Sequence, residues 1–148
     1  MIVREMTWDD LEQVMVIENE NFSVPWTETG FFTYLMRSDA MFLVAEEEDE
    51  ASILGYCGLS MAADEGDITN VSVKKELQGK GIGTALVAEL ENRVKELGIQ
   101  KIFLEVRKSN APALALYEKQ GFEHMGIRKN YYSDPIEDAI TMCRKLSH

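Results

Sequence analysis

The sequence predicts a mixed α/β fold in one domain spanning residues 1–148. Three observations predict it. A chain of 148 residues fits one domain and leaves little room for a second. Apolar positions switch several times between strand-like runs and helical i, i+3, i+4 spacing. A glycine cluster, Gly79, Gly81 and Gly83, leads directly from a strand-like run into a strongly helical one.

The elements follow in order. Ile2 to Met6 reads as a short first strand. Thr7 or Asp9 offers a helix cap, and Leu11, Val14, Met15 and Glu18 follow at helical spacing. Pro25-Trp26 breaks that helix, and Thr27 starts another that carries Phe31, Phe32, Leu35 and Met36. Met41 to Glu46 and Ser52 to Met61 form two strands joined by an acidic turn, and Asp67 to Lys74 forms a further strand. After the glycines, Leu86, Val87, Leu90, Val94 and Leu97 mark a helix that Gly98 stops. Lys101 to Val106 is a strand. Asn110 caps a short helix, with Pro112 tolerated in its first turn and Gly121 at its end. Phe122 to Ile127 and Ile136 to Arg144 complete the set as strands, which leaves Tyr131 and Tyr132 on a connecting loop.

Composition narrows the function. At 45% hydrophobic and 28% charged, the chain can bury a core. A net charge of -11 argues against a nucleic-acid partner, because phosphate binding needs clustered Lys and Arg. It favours cationic substrates such as amines or basic peptides, though weakly. The run Glu46 to Glu50 reads as a solvated turn. Cys57 and Cys143 are too few for a disulfide framework, and no Cys/His cluster points to a metal. No apolar run approaches the length of a membrane span and the N-terminus has no signal-peptide core, so the expectation is a cytoplasmic protein without a membrane partner. His124 reads as structural, and His148 is terminal and uninformative.

The informative segment is Gln78-Gly79-Lys80-Gly81-Ile82-Gly83-Thr84, after a strand and opening a helix. Glycines let the backbone approach a ligand and adopt positive φ without strain. The unpaired N–H groups of a first helical turn, at the positive end of the helix dipole, bind anions, and a pyrophosphate is the natural occupant. Two phosphate loops are excluded by spacing. A Walker A loop requires Gly-Lys followed by Ser or Thr, and here Gly81 follows Lys80. A dinucleotide fingerprint requires Gly-x-Gly-x-x-Gly, and these glycines are spaced Gly-x-Gly-x-Gly.

The spacing Gln78-x-x-Gly81-x-Gly83 resembles the Gln/Arg-x-x-Gly-x-Gly/Ala pattern of the GNAT acetyltransferase superfamily. The block from Leu104 to Phe122, in which Tyr117 follows Asn110, looks like the second half of the coenzyme A site in those enzymes. Glu105-Val106-Arg107, Ser109-Asn110, Tyr117 and Asn130-Tyr131-Tyr132 resemble one branch, the bacterial ribosomal-protein alanine N-acetyltransferases and related protein N-terminal acetyltransferases. Pro25-Trp26 fits that branch too. Glu76-Leu77 departs from it, since many members carry an aromatic residue or Pro nearby.

That resemblance implies about seven strands in a mostly antiparallel, splayed sheet with about four helices. It implies acetyl-CoA as co-substrate, no metal, and transfer to the N-terminal amine of a protein, with a ribosomal protein among the acceptors. The chain is expected to work as a monomer or a weak homodimer. By the same resemblance the amides of Gln78, Gly79, Lys80, Gly81, Ile82, Gly83 and Thr84 hold the pyrophosphate. The backbone of Val71, Ser72 and Val73 pairs with the pantetheine arm, although Val71 and Val73 are core residues first. Asn110 caps its helix and can touch the cofactor as well.

Glu105 is the expected general base; the bland alternative is an edge-strand carboxylate facing solvent. An α-amine has a pKa near 8 and an ordinary Glu one near 4.3, so direct transfer is uphill by roughly 5 kcal/mol. Partial burial of Glu105 or an intervening water would lessen that cost. A lysine amine adds about 3 kcal/mol, a mild preference for an α-amine. Tyr117 is the expected general acid toward the departing thiolate, at a cost of roughly 2 kcal/mol from ordinary pKa values; otherwise it is a core aromatic. Tyr131 and Tyr132, opposite Pro25 and Trp26, could wall a peptide groove or simply pack on the core. Two other readings stay open: acetylation of a lysine or a small amine, and a non-catalytic acyl-CoA-binding module, which would have no reason to keep Glu105 and Tyr117 together.

Overall fold

The computed structural model describes residues 1–146; His148 lies outside them. The described strands form one sheet of seven, in the order β1-β2-β3-β4-β5-β7-β6. They are β1 (Ile2–Glu5), β2 (Ala40–Glu47), β3 (Ser52–Ala62), β4 (Glu65–Val73), β5 (Lys101–Arg107), β6 (Glu123–Tyr132) and β7 (Glu137–Lys145). The helices are α1 (Leu11–Asn21), α2 (Glu28–Leu35), α3 (Ile82–Glu96) and α4 (Ala111–Lys119). A 3-10 turn, Trp8–Asp10, precedes α1. Every neighbouring pair of strands is antiparallel except β4 and β5, which the α3 crossover makes parallel.

Side-chain alternation divides the core between the two faces of this sheet. On one face Leu43, Cys57, Leu59, Ile102, Leu104 and Val106 pack beneath the Leu86, Leu90 and Val94 stripe of α3 and beneath Tyr117 of α4. On the other, Phe42, Val44 and Tyr56 meet Val14 and Ile17 of α1 and Phe31 of α2. The residues of β5 that alternate with its buried set, Phe103, Glu105 and Arg107, are only half-buried. Nearly all of β6 is exposed.

The sheet does not close between β4 and β5. They pair only from Glu65 to Asp67 against Lys101 to Phe103. Just beyond, the pairing of β4 with β3 slips, from Leu59 opposite Ile68 to Gly58 opposite Asn70. Thr69 is the extra residue, and such a bulge bends its strand and increases its twist. The two strands therefore part, and the sheet opens at its centre.

Two boundaries differ from the sequence reading by more than two residues. α1 ends at Asn21, ahead of Pro25, and Phe22 is already extended. β6 continues to Tyr132, so Tyr131 and Tyr132 end a strand instead of lying on a loop. Asn130 adopts a left-handed φ of 51° and donates its N–H to Asp138 Oδ1 at 2.9 Å. This irregularity absorbs the register change, and Tyr132 then pairs with Glu137.

Candidate active site

The opening exposes one edge of β4. The Lys74 N–H donates to the Leu54 carbonyl of β3 at 2.9 Å. Backbone groups alternate in direction along a strand, so those of Val71 and Val73 face the gap. The Val73 carbonyl is taken there by Asn21 Nδ2, at 2.8 Å, and Gln78 Nε2, at 3.1 Å. The Ser72 side chain turns the other way, is buried, and accepts a hydrogen bond from Asn21 at 2.6 Å.

At the end of this edge the chain enters α3. Gly81 occupies the N-cap position at φ 88°, the left-handed region that favours glycine, and no side chain caps the helix. The first intrahelical bond runs from the Ala85 N–H to the Gly81 carbonyl, which leaves the amides of Ile82, Gly83 and Thr84 without helical partners. The first turn carries no acidic residue. A Cβ on Gly83 would lie 2.9 Å from Leu116 Cδ1, so this glycine lets α3 and α4 approach closely. Gly79 and Lys80 are exposed beside the turn. The chemistry of this donor set fits a pyrophosphate.

Across the gap, Asn110 accepts from the Ala113 N–H at 3.2 Å and caps α4. Tyr117, about two turns further on, is 7% exposed and packs edge-on against Phe122 at 5.5 Å. Burial, with lesser contributions from Cys57 and Tyr132, raises the pKa of its hydroxyl, so it keeps its proton well above neutral pH. Cys57 is buried and free, its thiol pushed up to about 12 by desolvation.

Glu105 lies on the face opposite Leu104 and Val106, with its side chain 25% exposed. Arg128 Nη2 approaches Glu105 Oε1 to 3.8 Å. Tyr132 stands near both proposed catalytic groups. Burial raises its pKa to about 12, Tyr131 and Glu105 add to the effect, and Arg107 opposes it. Tyr132 in turn contributes to the shift at Tyr117.

Arg107, two residues beyond Glu105, organises the turn that follows β6. Its guanidinium donates to the carbonyls of Pro135, at 3.0 Å, and Ser133, at 3.1 Å. It also lies 4.5 Å from the centre of the Tyr132 ring and pairs with Glu137 at 3.3 Å. Glu137 accepts the Ser109 N–H at 2.6 Å. The turn reaches the α1–α2 connection, where Ser23 Oγ donates to the Asp134 carbonyl at 2.6 Å. Tyr131 is exposed and stands nearly perpendicular to Tyr132, with ring centres 5.0 Å apart.

Pro25 and Trp26 belong to the facing connection, both half-buried. The Trp26 ring stacks on Tyr34 at 4.9 Å and packs against Phe31 and Phe42, so much of it serves the core beneath α2. The Trp26 N–H donates to Glu18 Oε2 at 2.8 Å, and Glu18 Oε1 accepts a short hydrogen bond from the Tyr56 hydroxyl. Glu18 is 2% exposed. Sequence reasoning placed it only in a helical stripe. A carboxylate at a core position was the available signal, since a buried charge needs partners. Arg128 and Ser23 gave no such signal.

The class that this fold and opening define is that of acyltransferases drawing their acyl group from a pyrophosphate-bearing carrier. Residues 11–122 match the model of the acetyltransferase (GNAT) family. The chain belongs to that family and is an acetyl-CoA-dependent N-acetyltransferase. It is 40% identical over 141 residues to a putative [ribosomal protein bS18]-alanine N-acetyltransferase of Bacillus subtilis, covering 95% of this chain and 92% of the relative. It is 33% identical over 140 residues to the [ribosomal protein bS18]-alanine N-acetyltransferase of Escherichia coli, covering 93% of each. The crystal structure of the ribosomal-protein-S18-alanine N-acetyltransferase from Escherichia coli superposes with a TM-score of 0.89 at 30% identity, over 99% of this chain and 94% of that one. Among the described residues, no helix is long and apolar enough to cross a membrane.

Proposed function

We propose that the chain acetylates the N-terminal α-amine of a protein, with a ribosomal protein that begins with alanine as the acceptor. The relatives are named for that acceptor. The observation that carries the reading is the half-buried Glu105 on β5, two residues before the Arg107 that holds the β6–β7 turn, which the Ser23–Asp134 hydrogen bond ties to the α1–α2 connection. A chain end fits beneath such a bridge more readily than a side chain projecting from a folded surface.

In this reading the amides of Ile82, Gly83 and Thr84 hold the pyrophosphate, with the rest of the Gln78–Gly81 turn around it. The edge of β4 from Val71 to Val73 aligns the pantetheine arm, and the cap residue Asn110 lies across the gap from it. Glu105 takes a proton from the acceptor amine, directly or through a water, as the nitrogen attacks the thioester carbonyl. An N–H on the β4 edge faces the oxyanion that develops. As the C–N bond forms and the C–S bond breaks, Tyr117 returns a proton to the sulfur. The raised pKa of Tyr117 makes that transfer dearer than ordinary values imply, but the same desolvation raises the proton affinity of a thiolate beside it. Tyr131 and Tyr132 wall the acceptor on one side, and the Pro25–Trp26 connection walls it on the other. The reading treats residues 1–148 as one catalytic domain.

The test is acetyl-CoA turnover on short peptides that begin with Ala, Ser, Met or Gly, beside blocked peptides with one internal lysine. The expected result is acetylation of free N-termini alone, Ala first, with Glu105→Gln lowering kcat by about 10²–10⁴-fold. Reaction of the lysine peptide alone would overturn the acceptor assignment.

A further inference from the structure

We infer that Arg128 is a placeholder, occupying in the free enzyme the position at Glu105 that the cationic amine of the acceptor takes on binding. This rests on the reading of Glu105 as the base that receives the acceptor amine.

The geometry begins with the strand order. Glu105 of β5 stands opposite Thr141 of β7, and Thr141 stands opposite Gly126 of β6. These three positions form one row across the sheet, and its last member presents no side chain. Arg128, two residues along β6 and hence on the same face, extends back over the vacant place. Its guanidinium ends 3.8 Å from the Glu105 carboxylate and 5.5 Å from the centre of the Tyr131 ring.

Three features fit a displaceable ion and not a structural one. The Arg128 side chain is 60% exposed, so its release into water costs little desolvation. The contact with Glu105 is longer than a hydrogen bond and is not bidentate, unlike the pairing of Arg107 with its two carbonyls. The guanidinium already rests 5.5 Å from the Tyr131 ring, a partner that does not depend on Glu105. Arg107 cannot serve in its stead, because its donors already hold the turn after β6.

A cationic α-ammonium approaching Glu105 must displace Arg128 and overcome its like charge. Arg128 therefore weakens binding of every cationic acceptor. A peptide N-terminus and a small amine both present an ammonium to Glu105 and meet the same opposition.

The test measures steady-state kinetics of wild type, Arg128→Gln and Arg128→Glu with an Ala-initiated hexapeptide and with a small primary amine, each alone and on a Glu105→Gln background. The expected result for Arg128→Gln is a fall in peptide KM of about threefold, the scale of an exposed ion pair. Arg128→Glu should lower it further, with no matching rise in kcat and no movement of the acetyl-CoA KM. The kcat/KM of the small amine should rise by about the same factor as that of the peptide, and on the Glu105→Gln background the Arg128→Gln effect on KM should vanish. A peptide KM that rises or stays fixed in both Arg128 variants overturns the inference. If Glu105→Gln keeps wild-type turnover, the base assignment itself has failed, whatever the Arg128 variants do.

Discussion

Arg107→Met tests whether the acceptor wall is built by one side chain. The substitution keeps most of the aliphatic stem and removes the guanidinium. What is lost is two hydrogen bonds to carbonyls of the β6–β7 turn, at 3.0 and 3.1 Å, the contact with the Tyr132 ring and an ion pair with Glu137. Each hydrogen bond contributes about 0.5–1.5 kcal/mol net, because water can replace an exposed donor. The ring contact contributes about 0.5–1 kcal/mol, and the ion pair less than about 1 kcal/mol. Since one group makes all four contacts, the values do not simply add, and roughly 2 kcal/mol is the expected loss.

That loss falls on the turn and not on the core, for the strands beneath it keep their ladders. A loss of about 2 kcal/mol lowers the ordered population of the turn relative to its open forms by about 30-fold. The acceptor must then order it on binding. The peptide KM should therefore rise by about 10-fold or more, the acetyl-CoA KM should hold, and the amides of residues 131–136 should exchange faster with solvent. If the peptide kcat/KM falls less than twofold while those amides do exchange faster, the turn is no part of the acceptor site.

Three further outcomes follow from the same contacts. Tyr117→Phe should lower kcat by about 10²-fold with little change in either KM, measured in the same turnover assay, since the ring packing is kept and the proton donor is lost. Gly121→Ala should cost about 1–2 kcal/mol in a denaturant melt, because Gly121 has φ 94°; the Arg144 guanidinium that the added Cβ would meet ends a flexible side chain and can move aside. Asp10→Asn should cost about 2 kcal/mol at pH 7, where Arg4 binds the Asp10 carboxylate at 2.9 Å through two nitrogens. Burial alone would raise the pKa of Asp10, but Arg4 and Thr7 outweigh it and hold the pKa below the usual 3.8. The stabilisation is thus full above that pH and is lost as pH falls through the lower folded value, so wild type and Asp10→Asn should converge in acid.

The order of elements was legible because each carries its own local signal. Thr27 caps α2 by accepting the Gly30 N–H, Asn110 caps α4, and Gly81, Gly98 and Gly121 all take positive φ at helix ends or turns. The glycine turn that opens α3 was legible for the same reason: its glycines and its helix are neighbours in sequence. The splay between β4 and β5 was not legible in periodicity alone, since it depends on a one-residue slip at Thr69 against another strand. The extent of β6 was missed because Asn130 looks like a turn residue, and only Asp138 across the ladder shows how the strand continues. Pairings of distant residues, Ser23 with Asp134 and Arg128 with Glu105, left no local trace.

Glu18 shows why such distant pairings matter more to the site than local ones. A carboxylate 2% exposed in a helix that otherwise buries Leu11, Val14 and Ile17 would be costly if unpaired. It is paired on both oxygens, to the Trp26 N–H beside the acceptor wall and to the Tyr56 hydroxyl in the sheet. Ser72 touches Tyr56, Asn21 donates to both Ser72 and the Val73 carbonyl, and Gln78 of the turn before α3 donates to that same carbonyl. One polar chain therefore runs from the acceptor wall, through the end of α1, to the turn before α3. Where the sheet cannot pair β4 with β5, side chains from α1 and from the turn before α3 satisfy the Val73 carbonyl instead. Those polar partners hold the edge of the gap, and α1 supplies partners both to the Pro25–Trp26 connection and to the β4 edge.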